Sequence, residues 1–126
     1  MILDTHVLIW WADDSMELSR RARSLLTDMK TPLQWSSAST WEMAIKVGRG
    51  KLRLPEPVRD YVVGRLDRLG IESVLVEHHH AARVADLPPH HADPFDRLLV
   101  AQAQIFGVPI LSVDEKLRAY DVEVIW

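Results

Sequence analysis

The chain has 126 residues, 48% of them hydrophobic and 26% charged, enough for one globular domain that buries roughly two-thirds of its unfolded surface and too few for two domains with a linker. It contains no cysteine, which excludes disulfides and cysteine-ligated zinc. With 15 Lys and Arg against 18 Asp and Glu, a net charge of −3, it lacks the basic excess of a protein that holds nucleic acid by charge alone.

If four acids sat on a cation, the 15 basic residues would outnumber the other 14, so a nucleic-acid substrate stays open. No apolar run approaches the roughly 18 residues of a membrane span, and Met1-Ile2-Leu3-Asp4 reads as a strand rather than a basic signal region. A cytoplasmic protein with no membrane partner is expected.

Short runs rich in β-branched residues alternate with longer stretches of helical period, the pattern of an α/β domain whose twisted parallel sheet is flanked by helices. Met1–Asp4 is the first predicted strand. Trp10 and Trp11 follow on a short helix; being consecutive, they cannot share one core stripe, which leaves one for an interface. Most of Trp10, Trp11, Trp35, Trp41 and Trp126 should be core. After Ser19, residues Ala22, Leu25, Leu26 and Met29 recur on one helical face. Leu33–Ser36 is the second strand. The next helix opens after Ser39, where Ser39-Thr40-Trp41-Glu42 has the form of a capping box, and stops at Gly48-Arg49-Gly50. Pro55 and Pro57 punctuate a connector; Val58, Val62, Leu66 and Leu69 then mark a helix ending at Gly70.

Ile71–Val76 is the third strand, and a short helix from His79 to Leu87 stops at Pro88-Pro89. Asp93 as N-cap, Pro94 in the first turn, the run Leu98 to Ala103 and Gly107 as terminator frame the most strongly marked helix. Pro109–Ser112 and Val122–Ile125 complete five strands. The histidines His78-His79-His80 and His90-His91 lack the spacing of a zinc site, because adjacent side chains diverge; for His91, close to Asp93 and Asp96, solvation in its loop is the expectation and contact with substrate the alternative.

Four acids fall where strands hand over to helices: Asp4, Glu42, Asp96 and Asp114. In a parallel sheet all carboxyl ends of the strands share one edge, and ligands bind there at the switch point of strand order. Taken singly, each acid has a structural explanation: Asp4 as a turn residue, Glu42 in the capping box, Asp96 at a positive helix end, Asp114 as a cap. Capping alone does not require an acid at all four positions, since Ser, Thr and Asn serve as well. Carboxylates that converge must take up protons or hold a cation, and oxygen-only ligation favours Mg²⁺ or Mn²⁺.

Four blocks carry a resemblance: Ile2-Leu3-Asp4-Thr5-His6; Ser37-Ala38-Ser39-Thr40-Trp41-Glu42-Met43-Ala44-Ile45-Lys46; His91-Ala92-Asp93-Pro94-Phe95-Asp96-Arg97-Leu98-Leu99-Val100-Ala101-Gln102-Ala103; and Ile110-Leu111-Ser112-Val113-Asp114. In this order the chain resembles PIN-domain ribonucleases of the VapC toxin type, over its whole length. The resemblance implies a single three-layer PIN domain over residues 1–126, acting as a Mg²⁺- or Mn²⁺-dependent endoribonuclease, the toxin of a type II toxin–antitoxin pair. A small VapB-like antitoxin would hold it inactive, and it would form a homodimer. The family's acidic quartet falls on Asp4, Glu42, Asp96 and Asp114, with Asp4 and Asp96 as direct metal ligands and the other two acting through water or as proton acceptor. Ser112 stands where many relatives have Thr, and Phe95 precedes Asp96 where many have Asn. Thr5 and Ser112 are expected to hydrogen-bond the acids, while Asp93 either supports them or only caps its helix.

Basic residues expected near this edge are Lys46, Arg49, Lys51, Arg53, Arg97, Lys116 and Arg118. Among them Lys46, one helical turn beyond Glu42, and Arg97 are the expected substrate contacts. The competing readings are a PIN nuclease of RNA processing with no antitoxin, a Mg²⁺-binding receiver-like signalling domain, and a catalytically silent binding module. The receiver reading needs an acceptor Asp after the third strand, where Val76-Glu77-His78 stands instead.

Overall fold

The computed structural model describes residues 1–126. In chain order the elements are β1 (Ile2–Leu3), α1 (Thr5–Ala12), α2 (Arg20–Thr27), β2 (Gln34–Ser36), α3 (Ser37–Gly48), α4 (Val58–Leu69), β3 (Glu72–Val74), α5 (His78–Arg83), a 3₁₀ turn at Val84–Asp86, α6 (Pro94–Phe106), β4 (Ile110–Leu111), a second 3₁₀ turn at Glu115–Ala119, and β5 (Val124–Ile125). All strand pairs are parallel, in the order β3-β2-β1-β4-β5. A receiver-type sheet has the order 2-1-3-4-5, so the signalling-domain alternative is set aside.

Period-two alternation produces the three layers. Ile2, Ile110 and Val124 join one core with Leu99, Val100 and Ala103 of α6 and with Leu117. Leu3, Leu111 and Ile125 enter a second core with Val7, Leu8, Leu26, Met43 and Leu66 from α1 to α4. Successive residues of one strand point to opposite faces, so a two-residue strand contributes to both. Between the layers, Gln102 of α6 is fully buried. It accepts the Ser36 hydroxyl at 2.6 Å and donates to the Leu75 carbonyl at 3.1 Å, which ties α6 to β2 and to the end of β3.

Helix ends follow their signals where capping chemistry is strong. Ser19 caps α2 through the Ala22 amide, Asp93 caps α6, and Gly70 and Gly107 end α4 and α6 in the left-handed conformation, both at φ 64°. Elsewhere the structure corrects the expected boundaries. The strands are shorter than predicted. Met29 lies beyond the end of α2 and is fully exposed, because Asp28 turns the chain by accepting the Lys30 amide. Helix α3 begins two residues before Ser39, capped by Ser36 at the end of β2. The segment expected as one helix from His79 to Leu87 divides into α5 and a 3₁₀ turn. Trp35 is buried and Trp10, Trp11 and Trp126 pack partly against the core, but Trp41 is 62% exposed, edge-on to Phe95.

Candidate functional site

The chain runs from β1 through β2 to β3 on one side, then returns to β4 and β5 on the other, so the switch point lies between β1 and β4. Asp4 leaves the end of β1 and Ser112 the end of β4. At that crevice a cavity of about 320 Å³ is lined by Asp4, Glu42, Asp93, Asp96 and Asp114, together with His6, Trp10, Lys46 and Val113. Residues up to 110 positions apart thus meet, because parallel strands deliver their carboxyl ends to one edge.

Three of the four acids are held by hydrogen bonds or an ion pair from a neighbour. Ser112 donates its hydroxyl to Asp4 Oδ2 at 2.5 Å and accepts the Asp114 amide at 3.0 Å, coupling the ends of β1 and β4. Thr5 donates to Glu42 Oε2, and Lys46 pairs with Glu42 Oε1 at 2.5 Å. The expected Ser39–Glu42 capping box is therefore not made: the Glu42 side chain turns into the crevice and the buried Ser39 hydroxyl has no partner. Asp93 accepts the amides of Phe95 and Asp96 while also lining the cavity, so it is at once a cap and a neighbour of the acids. Asp114 Oδ1 accepts the Lys116 amide at 2.9 Å.

Arg97 corrects an expectation. Its guanidinium donates to the carbonyls of Pro88 (2.9 Å), Val84 (3.1 Å) and Leu87 (3.3 Å) and to the Tyr120 hydroxyl (3.1 Å), so it clamps the loop before α6 instead of facing substrate. Arg97→Lys should lower the urea midpoint by the equivalent of about 1–3 kcal/mol, since an ammonium cannot replace a planar fork among four acceptors. An unchanged midpoint would refute the clamp. Of the basic residues expected at the edge, Lys46 lines the cavity.

His91 is the residue that sequence reasoning set aside. Its ring is only 10% exposed, with Nε2 at 2.7 Å from Asp114 Oδ2 and 3.2 Å from Asp96 Oδ2. The available signal was its position two residues before the N-cap of α6, which places it over that helix's first turn. The other histidine cluster has a local explanation. Glu77 and His80 form the reciprocal cap of α5, and His79 Nδ1 lies 3.3 Å from Glu77.

Electrostatics mark the crevice as short of positive charge. Burial pushes the Asp96 carboxyl up to about 7, and the charges of Asp4, Asp93 and Glu42 add to the rise against His91. Burial also raises Asp4, reinforced by Glu42 and opposed by the Ser112 hydrogen bond and His6. Asp114 behaves differently. Partial burial works against its ionisation, yet hydrogen bonds from His91 and the Lys116 amide hold it below the usual carboxylate range. Crowded carboxylates of raised pKa fit a hard divalent cation that would neutralise them. Neither side-chain oxygen of Asp96 accepts a hydrogen bond from the protein, whereas both oxygens of Glu42 and of Asp114 have a protein donor.

The sequence pattern of the PIN domain matches residues 1–123. The chain belongs to the PIN domain family. Ribonuclease VapC16 of Mycobacterium tuberculosis is 40% identical over 60 residues, covering 48% of this PIN domain and 43% of that relative. Ribonuclease VapC22 of the same organism is 26% identical over 121 residues, covering 95% of this chain and 91% of that one. In fold, this PIN domain is similar to a chain in the crystal structure of VapBC2 from Rickettsia felis bound to a DNA fragment from its promoter. The TM-score there is 0.70 at 12% identity, over 98% of this chain and 96% of the other. No helix of the chain is long and apolar enough to cross a membrane.

Proposed function

We propose that this PIN domain is a divalent-metal-dependent endoribonuclease and the toxin of a toxin–antitoxin pair. The observation that carries the reading is the meeting of Asp4, Glu42, Asp96 and Asp114 in one crevice at the switch point, with two of them raised in pKa. The names of VapC16 and VapC22 support ribonuclease activity, and a chain of similar fold in a toxin–antitoxin complex from Klebsiella pneumoniae, with a TM-score of 0.66 at 16% identity, supports an antitoxin partner.

Asp4 and Asp96 would hold the ion, with Mg²⁺ or Mn²⁺ as the candidates. When bound, a divalent cation supplies charge neutralisation at the phosphate and lowers the pKa of its water. Glu42 and Asp114, whose oxygens already accept protein donors, are suited to orient water and take its proton. Thr5 and Ser112 fix two of the four carboxylates, so that the acids keep their geometry against mutual repulsion. Lys46 is the cation nearest the acids and would meet a phosphate oxygen of the RNA.

The purified protein should cleave RNA in Mg²⁺ or Mn²⁺, lose that activity in EDTA and regain it when metal is restored. A small antitoxin frame is expected beside the gene, and co-expression of the two should yield a complex without activity. Sedimentation should give twice the chain mass of 14.4 kDa for the homodimer. Cleavage that persists in EDTA would overturn the metal reading. An active enzyme with no neighbouring partner frame would favour RNA processing instead.

A further inference from the structure

We propose that His91 is a positioning residue of the acidic crevice: its Nε2–H holds the Asp114 carboxylate beside Asp96, in a tautomer that its own loop imposes. The proposal rests on the metal-dependent reading above. His91 Nδ1 accepts the Asp93 amide at 3.0 Å. A ring nitrogen that accepts a hydrogen bond carries no proton, so the ring's single proton is on Nε2. That nitrogen faces Asp114 Oδ2 at 2.7 Å and Asp96 Oδ2 at 3.2 Å.

The same tautomer decides between two roles. Donor atoms of His91, Asp96 and Asp114 lie within 4.8 Å of one another, close enough to suggest a three-ligand metal site. An Nε2 that bears a proton has no lone pair to offer, so the imidazole donates to Asp114 and does not ligate. With Asp114 Oδ2 engaged by His91 and Oδ1 by the Lys116 amide, Asp114 acts through water, while Asp96, which accepts no hydrogen bond from the protein, keeps its oxygens for a cation.

The ring's position is secured from outside the crevice as well. The His91 amide donates to the Tyr120 hydroxyl at 2.9 Å, and Arg97 donates to the same oxygen at 3.1 Å while clamping the carbonyls of Val84, Leu87 and Pro88. The capping function of Asp93 and the clamp of Arg97 thus converge on one imidazole, which accounts for two residues of the third block that the acidic quartet leaves unused.

The test is titration of Mn²⁺ by calorimetry into the wild-type protein, His91→Ala and His91→Gln, with melting temperatures recorded for each. Loss of such a supporting hydrogen bond typically weakens metal affinity by about 10–100-fold. His91→Ala should show that loss with an unchanged melting temperature. His91→Gln, whose terminal amide can reach the place of Nε2–H, should recover most of the affinity. Imidazole ¹⁵N shifts of the wild-type protein should show the Nε2–H form both without and with Mg²⁺, and this measurement decides even if a variant fails to fold. Equal Mn²⁺ affinity in His91→Ala, or loss of the Nε2 proton on adding Mg²⁺, would overturn the positioning role and leave the nuclease reading intact. A wild-type protein that binds neither ion overturns both.

Discussion

Asp96→Asn should lower metal-dependent RNA cleavage by about 10³-fold or more while leaving the fold in place, because a ligand carboxylate supplies several kcal/mol of charge stabilisation that a neutral amide does not. The same variant should be at least as stable as wild type near neutral pH. Folding drives the Asp96 carboxyl up to about 7 against burial and its acidic neighbours, so above that pH the folded chain carries a charge that its surroundings disfavour. Replacing that charge with an amide removes an opposing contribution worth about 4 kcal/mol at most for a shift of this size. Activity assays and thermal melts on one preparation separate the two effects. Cleavage at the wild-type rate would remove Asp96 from the reaction, and loss of activity together with the fold would reduce it to a structural role.

Without metal, the melting temperature should fall as the pH rises from about 4 to about 7. Asp96 and Asp4 are both raised in the folded state. Through that window the folded chain retains a proton on Asp96 that the unfolded chain has released, so the Asp96 contribution to stability is complete below about pH 4 and is lost as the pH climbs through about 7, and Asp4 acts in the same direction. Asp114, held below its usual range, works in the opposite sense at lower pH and steepens acid unfolding there. Saturating Mg²⁺ or Mn²⁺ favours the ionised carboxylates and should flatten the decline, so the ion-induced gain in melting temperature should be larger at about pH 8 than at about pH 5. Calorimetry near pH 6 in buffers of different ionisation enthalpy should detect protons released on metal binding. A metal-induced gain independent of pH would show that the ion binds away from Asp4 and Asp96.

The third acidic block shows how far the sequence could be read. Asp93, Pro94 and Gly107 delimit α6 through local rules: a carboxylate that accepts two amides, a ring that needs no donor at a helix start, and a backbone at φ 64°. Those rules act over a few residues and are visible without a fold. Arg97 lies in the same block, but its contacts with the loop before α6 are not legible there. An exposed arginine beside a crevice and one that clamps three carbonyls have the same sequence, and only the path of the loop at Val84–Pro88 distinguishes them. Glu42 is a similar case. The spacing from Ser39 fits a capping box, but Ser36 at the end of β2 already caps α3, which places Ser39 inside the helix and releases Glu42 towards Thr5 and Lys46.

Alternating apolar runs and helix punctuation determine, from the sequence alone, a parallel α/β sheet with acids after the first and fourth strands and in the opening turns of two helices. The strand pattern is a consequence of side-chain period and burial, which are local quantities. Tertiary structure alone decides the strand order, and with it that β1 and β4 are neighbours whose ends bring Asp4 against Ser112. It also decides that His91 lies between Asp96 and Asp114 rather than in solvent, because that placement depends on Tyr120 and Arg97 holding a distant loop by its backbone. Contacts between residues remote in the chain set the pKa values of the acids, since desolvation and carboxylate repulsion arise only when those residues meet.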